Sequence, residues 1–238
     1  MTQNRLPDPD QMYQTLANEI LRFEIKPGDS LSENQLCQRF GLSRTPVRSL
    51  LQRLQENGLV QIIPHKGSIV TRLDYNVVNQ LIYERVAVET MVLRDFIRTC
   101  SPADVETARF AMTQLQQIAQ GYFSDPAGFQ ADRFLTTDLR MHEIWFRATG
   151  KSYLWQKLSS VESSYTRFCT LDIIGGSNVP DVLKEHEEML RLIDERDEAG
   201  IEPLMTRHLY GGVRRLRGLI YTRYADYFVP LPQADGEA

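Results

Sequence analysis

Between Gln11 and Phe23 the apolar residues Tyr13, Leu16, Ala17, Ile20 and Leu21 fall at i, i+3, i+4, i+7 and i+8, one stripe of an α-helix. Lys26-Pro27-Gly28-Asp29 breaks that stripe with a turn. Ser32 with Gln35 three residues on is a capping-box pattern, opening a second, short helix that buries Leu36, Cys37 and Phe40 before Gly41 ends it. Ser43 caps a third helix, in whose first turn Pro46 has no intrahelical bond to lose. Val47, Leu50, Leu51 and Leu54 are its buried stripe, and Arg44, Thr45, Arg48 and Gln52 face outward. After Asn57-Gly58, the β-rich runs Leu59 to Ile63 and Ser68 to Leu73, joined by Pro64-His65-Lys66-Gly67, predict a two-stranded ribbon. Helix, helix-turn-helix and ribbon in that order make a winged helix, assigned to residues 1–73.

From Tyr75 onward the pattern is helical throughout, with segments at about Tyr75 to Arg98, Pro102 to Gln120, Ala127 to Thr149, Tyr153 to Leu171, Val179 to Glu198 and Glu202 to Tyr224. The breaks contain Ser101-Pro102, Gly121, Asp125-Pro126, Gly150, Gly175-Gly176, Pro180 and Gly200. The fold class expected is mainly α: a winged helix-turn-helix followed by an all-α bundle over residues 74–230, with 231–238 a disordered tail.

Composition describes an ordinary soluble globular chain of 238 residues, and its formal net charge of −4 argues against nucleic acid. The distribution of that charge reverses the argument. From Cys37 to Arg72 the basic residues are Arg39, Arg44, Arg48, Arg53, Lys66 and Arg72, against Glu56 alone, a local net of 6 − 1 = +5. Such a segment suits a phosphate-contacting module joined to an acidic domain. Arg44 and Arg48 stand one turn apart at the end of the third helix that enters the major groove in a helix-turn-helix, where arginine can bind guanine O6 and N7 together. The small basic tip Pro64–Gly67 suits a minor groove or a phosphate line. Three widely spaced cysteines support neither a disulfide framework nor a thiolate cluster. With no secretory signal and no apolar run of membrane-spanning length, the expected compartment is the cytoplasm.

This stretch closely resembles the winged-helix domain of the GntR family of bacterial transcriptional regulators. The matching residues are Lys26-Pro27-Gly28, Leu31-Ser32-Glu33, Leu36, Gly41-Leu42-Ser43-Arg44-Thr45-Pro46-Val47-Arg48, Leu51, Leu54, Gly58-Leu59-Val60 and Lys66-Gly67. The resemblance implies that Arg44 and Arg48 touch the operator, that Thr45 assists on phosphate with Ser43 beside it, and that the wing tip His65, Lys66 and Gly67 reaches the minor groove. Many members carry Arg after the Glu at position 33; here it is Asn34, so that contact does not carry over.

Three of the four histidines lie in the helical part. Asp138 and His142 stand one turn apart on one helix, and His186 and His208 come from two others. Three neutral imidazoles and a carboxylate suit a borderline divalent metal such as zinc, nickel or manganese, with coordination positions left open. Spacing alone also describes packed or surface histidines. The domain resembles the FCD ligand-binding domain of the FadR-type GntR branch, through Arg85 and Glu89, Asp138-Leu139-Arg140-Met141-His142, Gly150, Glu185-His186, Asp194 with Asp197, and Arg207-His208-Leu209. In metal-binding members the Asp, the His four residues later and two later His hold the metal, zinc foremost. The first-helix Arg commonly lies near the ligand, which nominates Arg85 as effector-binding; its alternative is an i,i+4 pair with Glu89.

Together these readings describe a homodimeric repressor on a palindromic DNA operator, controlled by a small carboxylate effector, a sugar acid, hydroxy acid or dicarboxylate, at the metal site, with no membrane partner and no enzymatic activity. Two alternatives stay open. The metal is purely structural, with the effector elsewhere; or the chain is a metal-dependent hydrolase with Glu143 as base, although Glu143 turns off the Asp138 and His142 face and no nucleophile or phosphate loop accompanies it.

Overall fold

The computed structural model describes residues 8–125, 128–160 and 163–230. The expected tail at 231–238 lies outside the described residues. The chain forms two compact units, Met1–Tyr75 with Leu219–Ala238, and Asn76–Gly218.

In the first unit α1 spans Pro9–Leu21, β1 Ser30–Leu31, α2 Glu33–Phe40, α3 Arg44–Glu56, β2 Val60–Ile63 and β3 Gly67–Val70. The core is assembled from Leu16, Ala17 and Ile20 of α1, Leu36 of α2 and Val47, Leu50, Leu51 and Leu54 of α3. Gly41 ends α2 at φ 66, a backbone that a side chain would strain, and its N–H bonds to Cys37 O. The expected ribbon is one strand short. Ser30 and Leu31 pair antiparallel with Ile69 and Ser68, so the sheet has three strands in the order β1-β3-β2. Two residues between a turn and a helix cap are too few to show alternation, which is why the pattern reads them only as connection.

The helical unit carries α4 Tyr75–Thr99, α5 Pro102–Ser124, α6 Ala131–Ala148, α7 Ser152–Ser160, α8 Ser163–Gly176, α9 Val179–Glu195, α10 Ile201–Leu209 and α11 Gly211–Leu216, α4 starting at the division. The start expected for α6, Ala127, lies outside the described residues. Ser101 opens α5 with a complete capping box against Asp104, and Pro180 sits in the first turn of α9, where proline costs nothing. α5 packs on α6 and α9, α8 on α6 and α11, and α10 on α9.

The last expected helix, Glu202 to Tyr224, is not continuous. It stops at Tyr210 before Gly211-Gly212, resumes as α11, and gives way to single 3-10 turns at Leu219–Tyr221 and Ala225–Tyr227. This final segment belongs to the first unit rather than to the bundle that its periodicity suggested. Leu73 donates its N–H to Tyr227 O at 2.9 Å and accepts from Val229 N–H at 2.9 Å, while Tyr227 stacks on Phe23 with ring centroids 5.3 Å apart.

Candidate metal centre and nucleic-acid interface

The apolar stripes of three helices carry polar residues to one point. On α6 the buried face runs Phe134, Leu135, Asp138, Met141, His142, Trp145, and on α9 it runs Val182, Glu185, His186, Met189. His208 sits beside buried Leu204, Met205 and Leu209 on α10, its imidazole 6% exposed. One ligand atom from each of Asp138, His142, His186 and His208 lies within 4.8 Å of the others. His142 Nε2 is 3.2 Å from both His186 Nε2 and His208 Nε2, and His186 Nε2 is 3.4 Å from Asp138 Oδ1.

The far side of each ring fixes which nitrogen holds the proton. His186 Nδ1 faces the Val182 carbonyl at 2.9 Å, which can only accept, so Nδ1 donates. His142 Nδ1 meets Glu89 Oε2 at 2.5 Å and His208 Nδ1 meets Glu185 Oε2 at 2.9 Å. Burial works against ionising Glu89, but the charges of Arg85 and His142 overcome it and hold the carboxyl at about 2. Glu185 is likewise lowered, its burial outweighed by His208. Both therefore accept from Nδ1, and the Nε2 atoms of His186 and His208 each face that of His142.

Lone pairs 3.2 Å apart repel unless a cation lies between them. Burial and the neighbouring His208 and His142 hold His186 well below the usual histidine range, so it stays neutral. Burial also opposes protonating His142, yet Glu89 outweighs it and raises its pKa. One proton on His142 relieves one of its two contacts; a metal ion relieves both and also serves Asp138 Oδ1, a buried oxygen with no hydrogen-bond partner among the described residues. Two nitrogens at about 2.0–2.1 Å from a tetrahedral zinc stand roughly 3.3–3.4 Å apart, close to the separations here. The four residues fit a divalent ion of borderline softness.

Two carboxylates of the candidate centre lie behind its histidines and outside the four-residue group. Glu89 and Glu185 hold two of the candidate ligand histidines, His142 and His208, from behind, an arrangement that would orient them toward a metal. The signal that could find Glu89 is an Arg-Glu i,i+4 pair on an otherwise apolar stripe with Val78, Ile82 and Phe96. Arg85 makes that pair at 2.6 Å, is 3% exposed, and lies over the Tyr165 ring at 4.4 Å. Of the two readings of Arg85, the structure shows the i,i+4 pair.

Asp138, His208 and Tyr165 border a cavity of about 40 Å³, which Arg215, paired to Asp172, also lines. A larger groove of about 730 Å³ lies between α5 and α6, lined by Gln114, Gln117, Arg133 and Arg140, and includes none of the four ligand residues.

In the first unit Ser43, Arg44, Thr45 and Arg48 are all exposed at the start of α3, as are His65, Lys66 and Gly67 at the β2–β3 tip. The tip turns tightly, with φ 62 at His65 and 98 at Gly67. Ser43 occupies the N-cap position without a side-chain cap bond, contrary to the expected cap, because its hydroxyl does not reach the first-turn amides. Arg44 Nη2 donates to Asn34 Oδ1 at 3.3 Å, and Arg48 Nε faces both oxygens of Glu33 at 3.0 and 3.1 Å. The +5 segment is less available than its sum suggests. Arg39 pairs with Glu19, and Arg53 with Asp10 at 2.5 Å, acids of α1 that lie outside the segment in sequence.

Residues 9–70 match the model of the family described as bacterial regulatory proteins, gntR family, and residues 80–211 match that of the FCD domain. The chain is 27% identical over 206 residues to the HTH-type transcriptional repressor RspR of Escherichia coli (strain K12), covering 85% of this chain and 86% of that protein. It is 25% identical over 181 residues to the gluconate operon transcriptional repressor of Bacillus subtilis (strain 168), covering 74% of this chain and 71% of that one. The fold is similar to that of E. coli McbR/YncC, with a TM-score of 0.64 at 16% identity over 91% of this chain and 98% of that one. Among the described residues no helix is long and apolar enough to cross a membrane. The chain belongs to the GntR family of bacterial transcriptional regulators and carries an FCD domain.

Proposed function

We propose that this protein is a cytoplasmic, homodimeric repressor whose helical domain holds one divalent metal ion, zinc foremost with nickel or manganese as alternatives, on Asp138, His142, His186 and His208. The observation that carries the reading is the convergence of three Nε2 atoms whose opposite nitrogens are committed as donors. In the DNA-binding domain, residues 1–73, Arg44 and Arg48 read bases in the major groove, Ser43 and Thr45 meet phosphate, and His65, Lys66 and Gly67 lie along the minor groove of a palindromic operator. The two repressors named above support the sign of regulation. The helical domain binds a small carboxylate acid, which shifts operator affinity only by preferring one arrangement of the dimer. Arg85 acts toward that site through Tyr165, on which it stacks and which borders the cavity.

A second reading has its own support. The cavity beside the ligands has room for little more than a water or two, whereas the α5–α6 groove offers two arginines and ample volume for an organic acid. There the metal is structural and the effector binds elsewhere. A thermal-shift screen of sugar acids, hydroxy acids and dicarboxylates on the metal-loaded protein separates the two, since a ligand of the folded state raises Tm. With the effector at the metal, an active acid keeps its shift in Arg140→Ala and loses it in Arg215→Ala; the reverse pattern places it in the groove.

A further inference from the structure

We propose that Glu33 is a specificity-determining residue that aims Arg48 at its base. This rests on the reading of α3 as the recognition helix. Glu33 is the first residue of α2 and Arg48 lies one turn into α3, so the bond joins the two arms of the helix-turn-helix across the turn between them. Both carboxylate oxygens lie on Nε, at 3.0 and 3.1 Å. Among the described residues the hydrogen bonds of the Arg48 guanidinium are made by Nε, and none is made by Nη1 or Nη2. The carboxylate therefore takes the one guanidinium N–H that end-on recognition of guanine O6 and N7 does not need, and leaves the two-pronged end open.

Stability does not account for the pair. Its side chains are 63% and 33% exposed, and ion pairs that wet contribute little. A carboxylate beside a phosphate-binding face also repels DNA, so it weakens non-specific binding. What it supplies is order: a long arginine loses much of its rotamer freedom on docking, and a fixed guanidinium has already lost it in the free protein. Asn34 meets Arg44 differently, its neutral oxygen accepting at 3.3 Å from Nη2, one of the two prongs.

The test is selection of bound duplexes from a randomised DNA pool by full-length wild type, Arg48→Ala, Glu33→Ala and Glu33→Gln, each sequenced and then titrated against its selected duplex and a scrambled one at one salt concentration. The wild-type motif is expected to contain a guanine in each half-site whose preference disappears in Arg48→Ala. Glu33→Ala should weaken the preference at that same position by about tenfold while binding the scrambled duplex more tightly. Glu33→Gln, whose amide oxygen still accepts from Nε, should retain most of the preference. If Glu33→Ala tightens binding to both duplexes equally and leaves the motif intact, Glu33 is merely a repulsive charge and the proposal is overturned. If Arg48→Ala itself leaves the motif intact, the reading of α3 falls and the proposal with it.

Discussion

Replacing Arg44 or Arg48 with alanine is expected to weaken operator binding by about 1–3 kcal/mol in each half-site, the value of one bidentate base contact. A dimer spanning two half-sites then loses roughly 2–6 kcal/mol, from about 30-fold to beyond 10,000-fold in Kd. Folding should be untouched, because both side chains are exposed and the four apolar residues that seat α3, Val47, Leu50, Leu51 and Leu54, are not involved. The loss should be specific: affinity for a scrambled duplex falls far less, since it rests on phosphate contacts. Fluorescence anisotropy on both duplexes at one fixed salt concentration measures the two terms. Undiminished operator affinity in both variants would show that other residues read the sequence.

Removing the metal is expected to lower the melting temperature of the helical domain on the order of 10 °C. An ion present at 1,000 times its Kd stabilises the folded state by about 4 kcal/mol. A domain of this size shifts by about 2–4 °C per kcal/mol, which gives roughly 8–16 °C. The buried arrangement explains the direction. Without a cation, His142 Nε2 faces two other ring nitrogens at 3.2 Å and Asp138 Oδ1 has no hydrogen-bond partner among the described residues. Scanning calorimetry of protein treated with chelator, and of the same protein after zinc is restored, measures the shift. Identical melting curves would count against an ion at this position.

How much of this was legible in the sequence depends on whether the deciding contact is local. The stripe Val47, Leu50, Leu51 and Leu54 and the Gly41 terminus are local, and the structure reproduces both. Asp138 and His142 stand one turn apart on a buried face, so the periodicity that defines α6 also brings them to the same side. His186 and His208 joined them as the other histidines of the helical part, with a resemblance in support, since only packing brings α9 and α10 to α6. Glu89 was visible as a pair with Arg85, but not as the support of a histidine 53 residues away. The ribbon lacked its third strand because Ser30 and Leu31 are too short to carry a pattern. The charge count from Cys37 to Arg72 overstated the free cations, because Glu19 and Asp10 reach Arg39 and Arg53 from α1. The last helix ran too far because periodicity continues past Gly211-Gly212 and Gly218, where glycine lowers the preference for helix and the backbone changes course.

The proposed centre is one ion held by Asp138, His142, His186 and His208. Metal content per chain, measured by plasma mass spectrometry after loading with excess zinc and exhaustive dialysis, tests this in the wild type, His186→Gln and His208→Ala, with circular dichroism confirming helical content. His208 lies at the edge of the group, so its replacement leaves the buried stripes of α6 and α9 intact. The account predicts one ion per chain in the wild type and well under half of that in both variants. A wild type that retains no ion, or folded variants that retain as much as the wild type, would contradict it.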